Sequence, residues 1–166
     1  MTRKELMKMM PVDAMDAAAA ERVVRLGFPT VAPVLRDMVQ AMRVARSPAA
    51  DVFAAFLARL GAPALPAIAK GLHRENGWLR HRIFTQVLPQ WPVEAIQPLK
   101  IELACIATQP DEHDNDLLCM ELLLRHHLVE TAWLAQWPEF KKERWTVRAK
   151  ALRRVEEKLR ADRSGG

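Results

Sequence analysis

Three stretches decide how this chain folds: Val31-Ala-Pro-Val-Leu35, Ala64-Leu-Pro-Ala-Ile68 and Ile96-Gln-Pro-Leu-Lys100. Their prolines, Pro33, Pro66 and Pro98, lie 33 and 32 residues apart. A fixed period of this size is the mark of a repeat architecture. Each stretch opens an apolar run with helical spacing, and a polar break and a second such run follow. The pattern predicts three helix pairs, over 29–43 and 48–60, 63–73 and 77–89, and 93–108 and 113–128. Their internal breaks fall at Ser47-Pro48, Asn76-Gly77 and Gln109-Pro110-Asp111.

The breaks have physical reasons. Proline in a first turn costs no intrahelical hydrogen bond, so Pro48, Pro63 and Pro92 are fit to open helices. Gly61 and Gly77 accept the positive φ that a helix end or tight turn asks for. Asp111, Glu112, Asp114 and Asp116 crowd one helix start, where acids offset the positive end of the dipole. Pro33, Pro66 and Pro98 come early enough in their helices to kink them without breaking them. Outside the pairs, a helix near 13–26 is expected to cap the first pair. A short segment at 133–137 and a final helix over about 138–162 follow the last.

Composition agrees with an all-helical reading. Of 166 residues, 25 are Ala and 20 are Leu, Tyr is absent and Gly numbers only 6. These are helix-forming choices and poor strand formers. With 50% hydrophobic residues the chain has apolar surface enough to offset the entropy of ordering. The longest uncharged run, 83–93, is 11 residues with two prolines, too short to span a bilayer. Lys8, Asp13 and Asp16 interrupt any signal-like apolar core near residue 1. Cys105 and Cys119 form no C-x-x-C pair and read as two buried small apolar residues. A cytoplasmic protein is therefore expected.

Charge is unevenly spread. Residues 1–140 carry 15 basic and 16 acidic side chains, and residues 141–166 carry 10 and 4. The net charge of +5 is thus a property of the last segment, where Lys141, Lys142, Arg144, Arg148, Arg153 and Arg154 are candidate phosphate contacts. The competing reading is a solvated helix face. Val147, Ala151 or Leu152, Val155 and Leu159 recur at helical spacing and leave the other positions to charge.

Nothing in the sequence assembles an enzyme. There is no G-x-S-x-G, H-E-x-x-H or Gly-rich phosphate loop. Asp111-Glu-His113-Asp114-Asn-Asp116 is the densest set of possible ligands, but it lacks the glycine turn of a calcium loop. Its neighbours also point apart on a helix. Helix capping is the expected role, and no metal or other cofactor is called for. His126 and His127 are adjacent in sequence and face apart on a helix.

Glu75-Asn-Gly-Trp78 with Ile83-Phe-Thr-Gln-Val-Leu88, and Pro98-Leu-Lys-Ile-Glu-Leu103 with Ala107-Thr-Gln-Pro110-Asp-Glu112, resemble a small bacterial HEAT-like family of unknown function. The resemblance spans about residues 20–130 and departs at Leu79-Arg80-His81. It implies a HEAT-like fold and supplies no activity. Related small helical-repeat proteins include immunity proteins against bacterial toxins. HEAT-like DNA glycosylases are the enzyme comparison, but the near-neutral repeats argue against wrapping a duplex.

The reading is an all-α, HEAT-like α-solenoid of about three antiparallel helix pairs with capping helices at both ends. It is a single domain over 1–166, with an N-terminal cap 1–28, repeats 29–60, 61–92 and 93–128, and a C-terminal cap 131–163. Trp78, Arg82 and Gln86 share one helical stripe. With Asp51, Glu121 and Arg125 they form the expected contact set for a protein partner, an immunity role being the sharpest version. Nucleic-acid binding through the basic last helix is the alternative, and self-association is a third possibility.

Overall fold

The structure is a computed structural model that describes residues 1–73, 76–144 and 149–165, and of Arg144 only the backbone. Glu75, Trp145, Val147 and Arg148 lie outside the described residues. Among the described residues all regular structure is helical. The chain divides into two compact units, Met1–Ala95 and Ile96–Gly166.

The first unit begins with α1 (Arg3–Met9), whose start is a reciprocal cap. Thr2 Oγ1 accepts from the Glu5 amide, and the Glu5 carboxylate accepts from the Thr2 amide at 2.7 Å. Those bonds hold the Glu5 carboxyl below its usual pKa. Asp16 caps α2 (Ala17–Arg25) through Ala19 N at 2.8 Å. Next come α3 (Leu35–Ala41) and α4 (Pro48–Leu60). Ser47 caps α4 by accepting from Ala50 N at 3.0 Å, and Gly61 closes it at φ 67°. Then follow α5 (Leu65–Leu72) and α6 (Gly77–Arg82). Asn76 caps α6 by accepting from Leu79 N at 2.8 Å, so Gly77 opens this helix and is not its turn residue. The chain continues through a π-helical turn, Ile83–Val87, and a 3₁₀ turn, Leu88–Gln90.

The repeated prolines act differently from expectation. Pro33 and Pro98 sit in 3₁₀ turns, Ala32–Val34 and Gln97–Leu99, that lead into the next α-helix, and Pro66 follows a third, Ala62–Ala64. A tight first turn takes proline without losing a bond, so these three prolines stand at helix starts and not in helix interiors. The helix expected near 13–26 starts at Ala17, and α1 precedes it.

Packing in this unit follows two rows. One row runs from α1 through the Ala32–Val34 turn and α3 to α5, and the other from α2 through α4 to the π turn after α6. Between them lies a core that includes Leu6, Met38, Met42, Phe53, Leu57, Ile68, Leu72, Leu79, Ile83 and Phe84, all essentially inaccessible. Each such side chain is worth about 1.5–3 kcal/mol of transfer free energy. At Gly71 the neighbouring elements come close, since a Cβ there would meet Val39 Cγ1 at 2.8 Å. Trp91 seals the lower end, buried and donating from Nε1 to the Leu57 carbonyl at 3.2 Å.

The short α7 (Val93–Ile96) carries the boundary between the units. The second unit contains α8 (Lys100–Thr108), α9 (Asn115–Arg125), α10 (Thr131–Ala135), α11 (Trp137–Arg144) and α12 (Ala149–Ser164). In it α8 packs on α9, and α9, α10 and α11 all pack on α12. A single last helix over 138–162 is therefore not what forms. Lys142 on α11 meets Glu156 on α12 at 2.5 Å, whereas 14 residues of unbroken helix would separate them by about 21 Å. Ala151, Leu152, Val155 and Leu159 are buried, as the apolar stripe predicts. Cys119 is buried, but Cys105 is exposed, and they form no disulfide.

The acidic run before α9 is more than a cap. Asp111 Oδ1 accepts from His113 N at 2.7 Å and from Asn115 Nδ2 at 3.0 Å, and Asp114 takes the left-handed conformation at φ 57°. Asp116 is fully buried and ion-paired with Lys141, also buried, on α11. Removing one member of such a pair strands the other charge and costs about 3–5 kcal/mol, whereas apolar replacement of both is close to neutral. Lys141→Ala is expected to lower unfolding stability by about that much in urea titrations, and Asp116→Leu with Lys141→Met to restore most of it. Equal losses in both variants would mean that the pair itself, and not the stranded charge, sets the cost.

Candidate functional site

The first four expected contacts lie in the first unit, and two of them, Asp51 and Gln86, meet the guanidinium of a third, Arg82. Ser47 and Pro48 start α4 so that Asp51 falls in its first turn. Arg82 ends α6, and Gln86 follows one turn on, in the π segment. Arg82 pairs with the Asp51 carboxylate through Nη1, which also reaches Gln86 Oε1 at 3.4 Å. Its Nη2 donates to the Ala45 carbonyl at 2.9 Å and the Val44 carbonyl at 3.3 Å. Asp51, Arg82 and Gln86 are thus brought together as the stripe suggests.

Their exposure differs. The Arg82 side chain is 7% exposed, against 61% for Asp51. The Arg82 guanidinium is thus enclosed by the fold, while the Asp51 carboxylate is open to solvent. Arg82 fastens the turn after α3 and the start of α4 to the end of α6. Trp78, four residues before Arg82, stays 47% exposed, with its ring edge to face with His81 at 6.1 Å. Val44, whose carbonyl Arg82 holds, is 46% exposed. Trp78 and Val44 are thus exposed apolar groups, one a helical turn before Arg82 and the other at a carbonyl that Arg82 holds. Val44 was missed in the sequence because an isolated valine in a polar turn carries no periodic signal.

Glu121 and Arg125 belong to the second unit. Glu121, nearly buried on α9, pairs with Lys158 of α12 at 3.4 Å, and Arg125 is exposed in the last turn of α9. They line a cleft of about 420 Å³ with Arg154, Glu157, Lys158 and Ala161. A second cleft of about 510 Å³ shares Arg125, Lys158 and Ala161 and adds Leu124, Asp162 and Gly165. Asp162 also bonds the Thr131 hydroxyl. His126, beside Arg125, is held below the usual histidine pKa by burial first, then by Arg125 and His127. Three cations and three carboxylates line the two clefts together, so neither sign of ligand is favoured.

The basic set thins out in the structure. Lys141 is spent on Asp116 inside the fold and leaves the candidate phosphate contacts. Lys142 is held by Glu156 and by Glu139 at 3.0 Å, and these carboxylates raise its pKa. Arg148 and the side chain of Arg144 lie outside the described residues. Arg153 and Arg154 are exposed on α12.

Among the described residues no three His, Cys, Asp or Glu side chains are grouped to hold a metal ion. No single helix among them is long and apolar enough to cross a membrane. No known family, curated protein or solved structure matches the chain.

Hydrogen bonds to a charged group contribute about 1.5–3 kcal/mol. Arg82→Ala should therefore cost about 2 kcal/mol or more in chemical denaturation. Arg82→Lys should recover only part of it, because one ammonium nitrogen replaces the two separated guanidinium nitrogens that meet the carboxylate and the carbonyls. A variant as stable as the wild type would show that Arg82 holds nothing together.

Proposed function

We propose that this chain is a non-enzymatic protein-binding module of HEAT-like helix pairs, and that its first unit meets the partner through Trp78. The support for the repeat reading is the order of packing, with α1, α3 and α5 in one row and α2, α4 and the turn after α6 in the other. Each pair buries its apolar face only against its neighbours, which is how α-solenoids are stabilised. The family resemblance points the same way and supplies no activity.

The observation that carries the binding reading is the half-exposed Trp78, one helical turn before the Arg82 that ties α6 to the Ala45 carbonyl. Tryptophan dominates interface hot spots, and a preordered surface loses little freedom on binding. Asp51, whose carboxylate stays open to solvent, and Val44 complete this contact set, and Arg82 and Gln86 position it. Glu121 and Arg125 offer a separate contact on the second unit. The sharpest version is a cytoplasmic immunity protein that covers a toxin. Nucleic-acid binding through α12 is the second reading, and it rests on the exposed Arg153 and Arg154.

The test is to immobilise the full chain, pass over it lysate of its own source treated with nuclease, and wash at about 0.5 M salt, where the Debye length is about 4 Å. A single retained protein is expected, held at least tenfold less by Trp78→Ala while the melting temperature stays unchanged. Retention that ignores Trp78 contradicts the assignment. Nucleic acid that binds without nuclease and leaves with salt moves the function to α12.

A further inference from the structure

A different face of the first unit carries a groove of about 260 Å³ lined by Phe28, Ala32, Leu35, Pro63, Pro66 and Ala67 together with Arg36 and Lys70. Phe28 is 48% exposed, and both cations are exposed. The described lining holds no carboxylate, and neither Arg36 nor Lys70 enters an ion pair among the described residues. Asp37, next in sequence to Arg36, is taken by Arg3 from α1 in two contacts of 2.9 and 3.0 Å. Small-molecule sites run to about 300–1,000 Å³, so this groove suits one or two side chains and not a cofactor. Its chemistry asks for apolar groups flanked by negative charge.

The same chain presents that chemistry in the connection between α1 and α2. Val12 is fully exposed and Met15 is 64% exposed, an unusual state for side chains in a well-held loop. Asp13 and Asp16 flank them, both exposed and neither in an ion pair among the described residues. The loop is fixed through its backbone. The Ala14 carbonyl accepts from Ser47 Oγ at 2.9 Å and from Ala49 N at 3.2 Å, and Asp13 Oδ1 accepts from Met15 N at 2.9 Å. A loop already ordered loses little entropy when it docks.

We propose that the 12–16 loop of one copy docks into the Phe28–Pro63–Pro66 groove of a second copy. Val12 and Met15 cover the apolar floor, and Asp13 and Asp16 face Arg36 and Lys70. Donor and acceptor are different patches, so each copy gives one loop and accepts another, and the contact builds reciprocal pairs or head-to-tail chains. So small a contact lies below the area of stable interfaces, about 1,200–2,000 Å² in total, and the association is weak and salt-sensitive. The proposal uses none of the residues assigned to partner binding.

Sedimentation velocity of the full chain decides it, from about 10 to 500 µM at low salt and again at about 0.5 M salt. The average mass should rise with concentration at low salt and much less at high salt. Arg36→Glu with Lys70→Glu, and separately Asp13→Lys with Met15→Lys, should each raise the apparent Kd at least tenfold. Mixing the two variants should restore association, since the unaltered loop of the first fits the unaltered groove of the second, and the basic loop of the second faces the acidic groove of the first. Trp78→Ala should associate like the wild type. All substituted positions are exposed, and circular dichroism confirms that the variants fold. A wild type that stays monomeric to 500 µM overturns the proposal. So does association that survives either charge reversal, or a mixture that stays monomeric.

Discussion

Helices this short cannot stand alone, and that constraint organises the structure. An isolated helix below about 12–15 residues is marginal in water. Most helices here are shorter; α4 has 13 residues and α12 has 16. Each persists because a neighbour covers its apolar face. In the first unit α4 has neighbours on three sides, α2, α3 and the turn after α6, and it contributes Phe53 and Leu57 to the core. Whatever fixes α4 also fixes the surface beside it, and so the hold of Arg82 on its first turn bears on function as well as on stability.

Two buried cations show how differently one residue class is used. Arg82 reaches out of the core to a half-open carboxylate and two turn carbonyls, so it links three pieces of chain at the edge of the first unit. Lys141 meets Asp116 deep inside the second unit, where both are removed from water. The first arrangement orders a surface on which Trp78 and Val44 are displayed. The second fixes α11 against the start of α9. Neither cation is available to a partner, although each is a plausible surface charge when only its sequence neighbours are considered.

The helical fold, the pairing in the first unit and most helix starts were legible, because apolar period, proline position and capping residues are local signals. Pro48 behind Ser47 and the apolar stripe of α12 are examples. What escaped depends on contacts distant in sequence. Arg82 does reach Gln86, but that Arg82 turns inward follows from the Val44 and Ala45 carbonyls, more than 30 residues earlier. That α11 and α12 are separate helices was hidden because no Pro or Gly stands between them in the sequence. The burial of Lys141 required knowing that Asp116 lies opposite. Of the six expected contacts, Asp51, Trp78, Arg82 and Gln86 fall in one unit and Glu121 and Arg125 in the other, a division that periodicity does not reveal.

The central claim is that Arg82 builds the surface and Trp78 is displayed on it. Amide hydrogen exchange on wild type, Arg82→Ala and Trp78→Ala separates these roles without any partner. Losing Arg82 is predicted to speed exchange together in 43–51 and 79–87, the segments it joins. Losing Trp78 is predicted to leave both segments as protected as in the wild type. If Trp78→Ala opens them as much as Arg82→Ala does, Trp78 is a core group and the proposed binding surface does not exist.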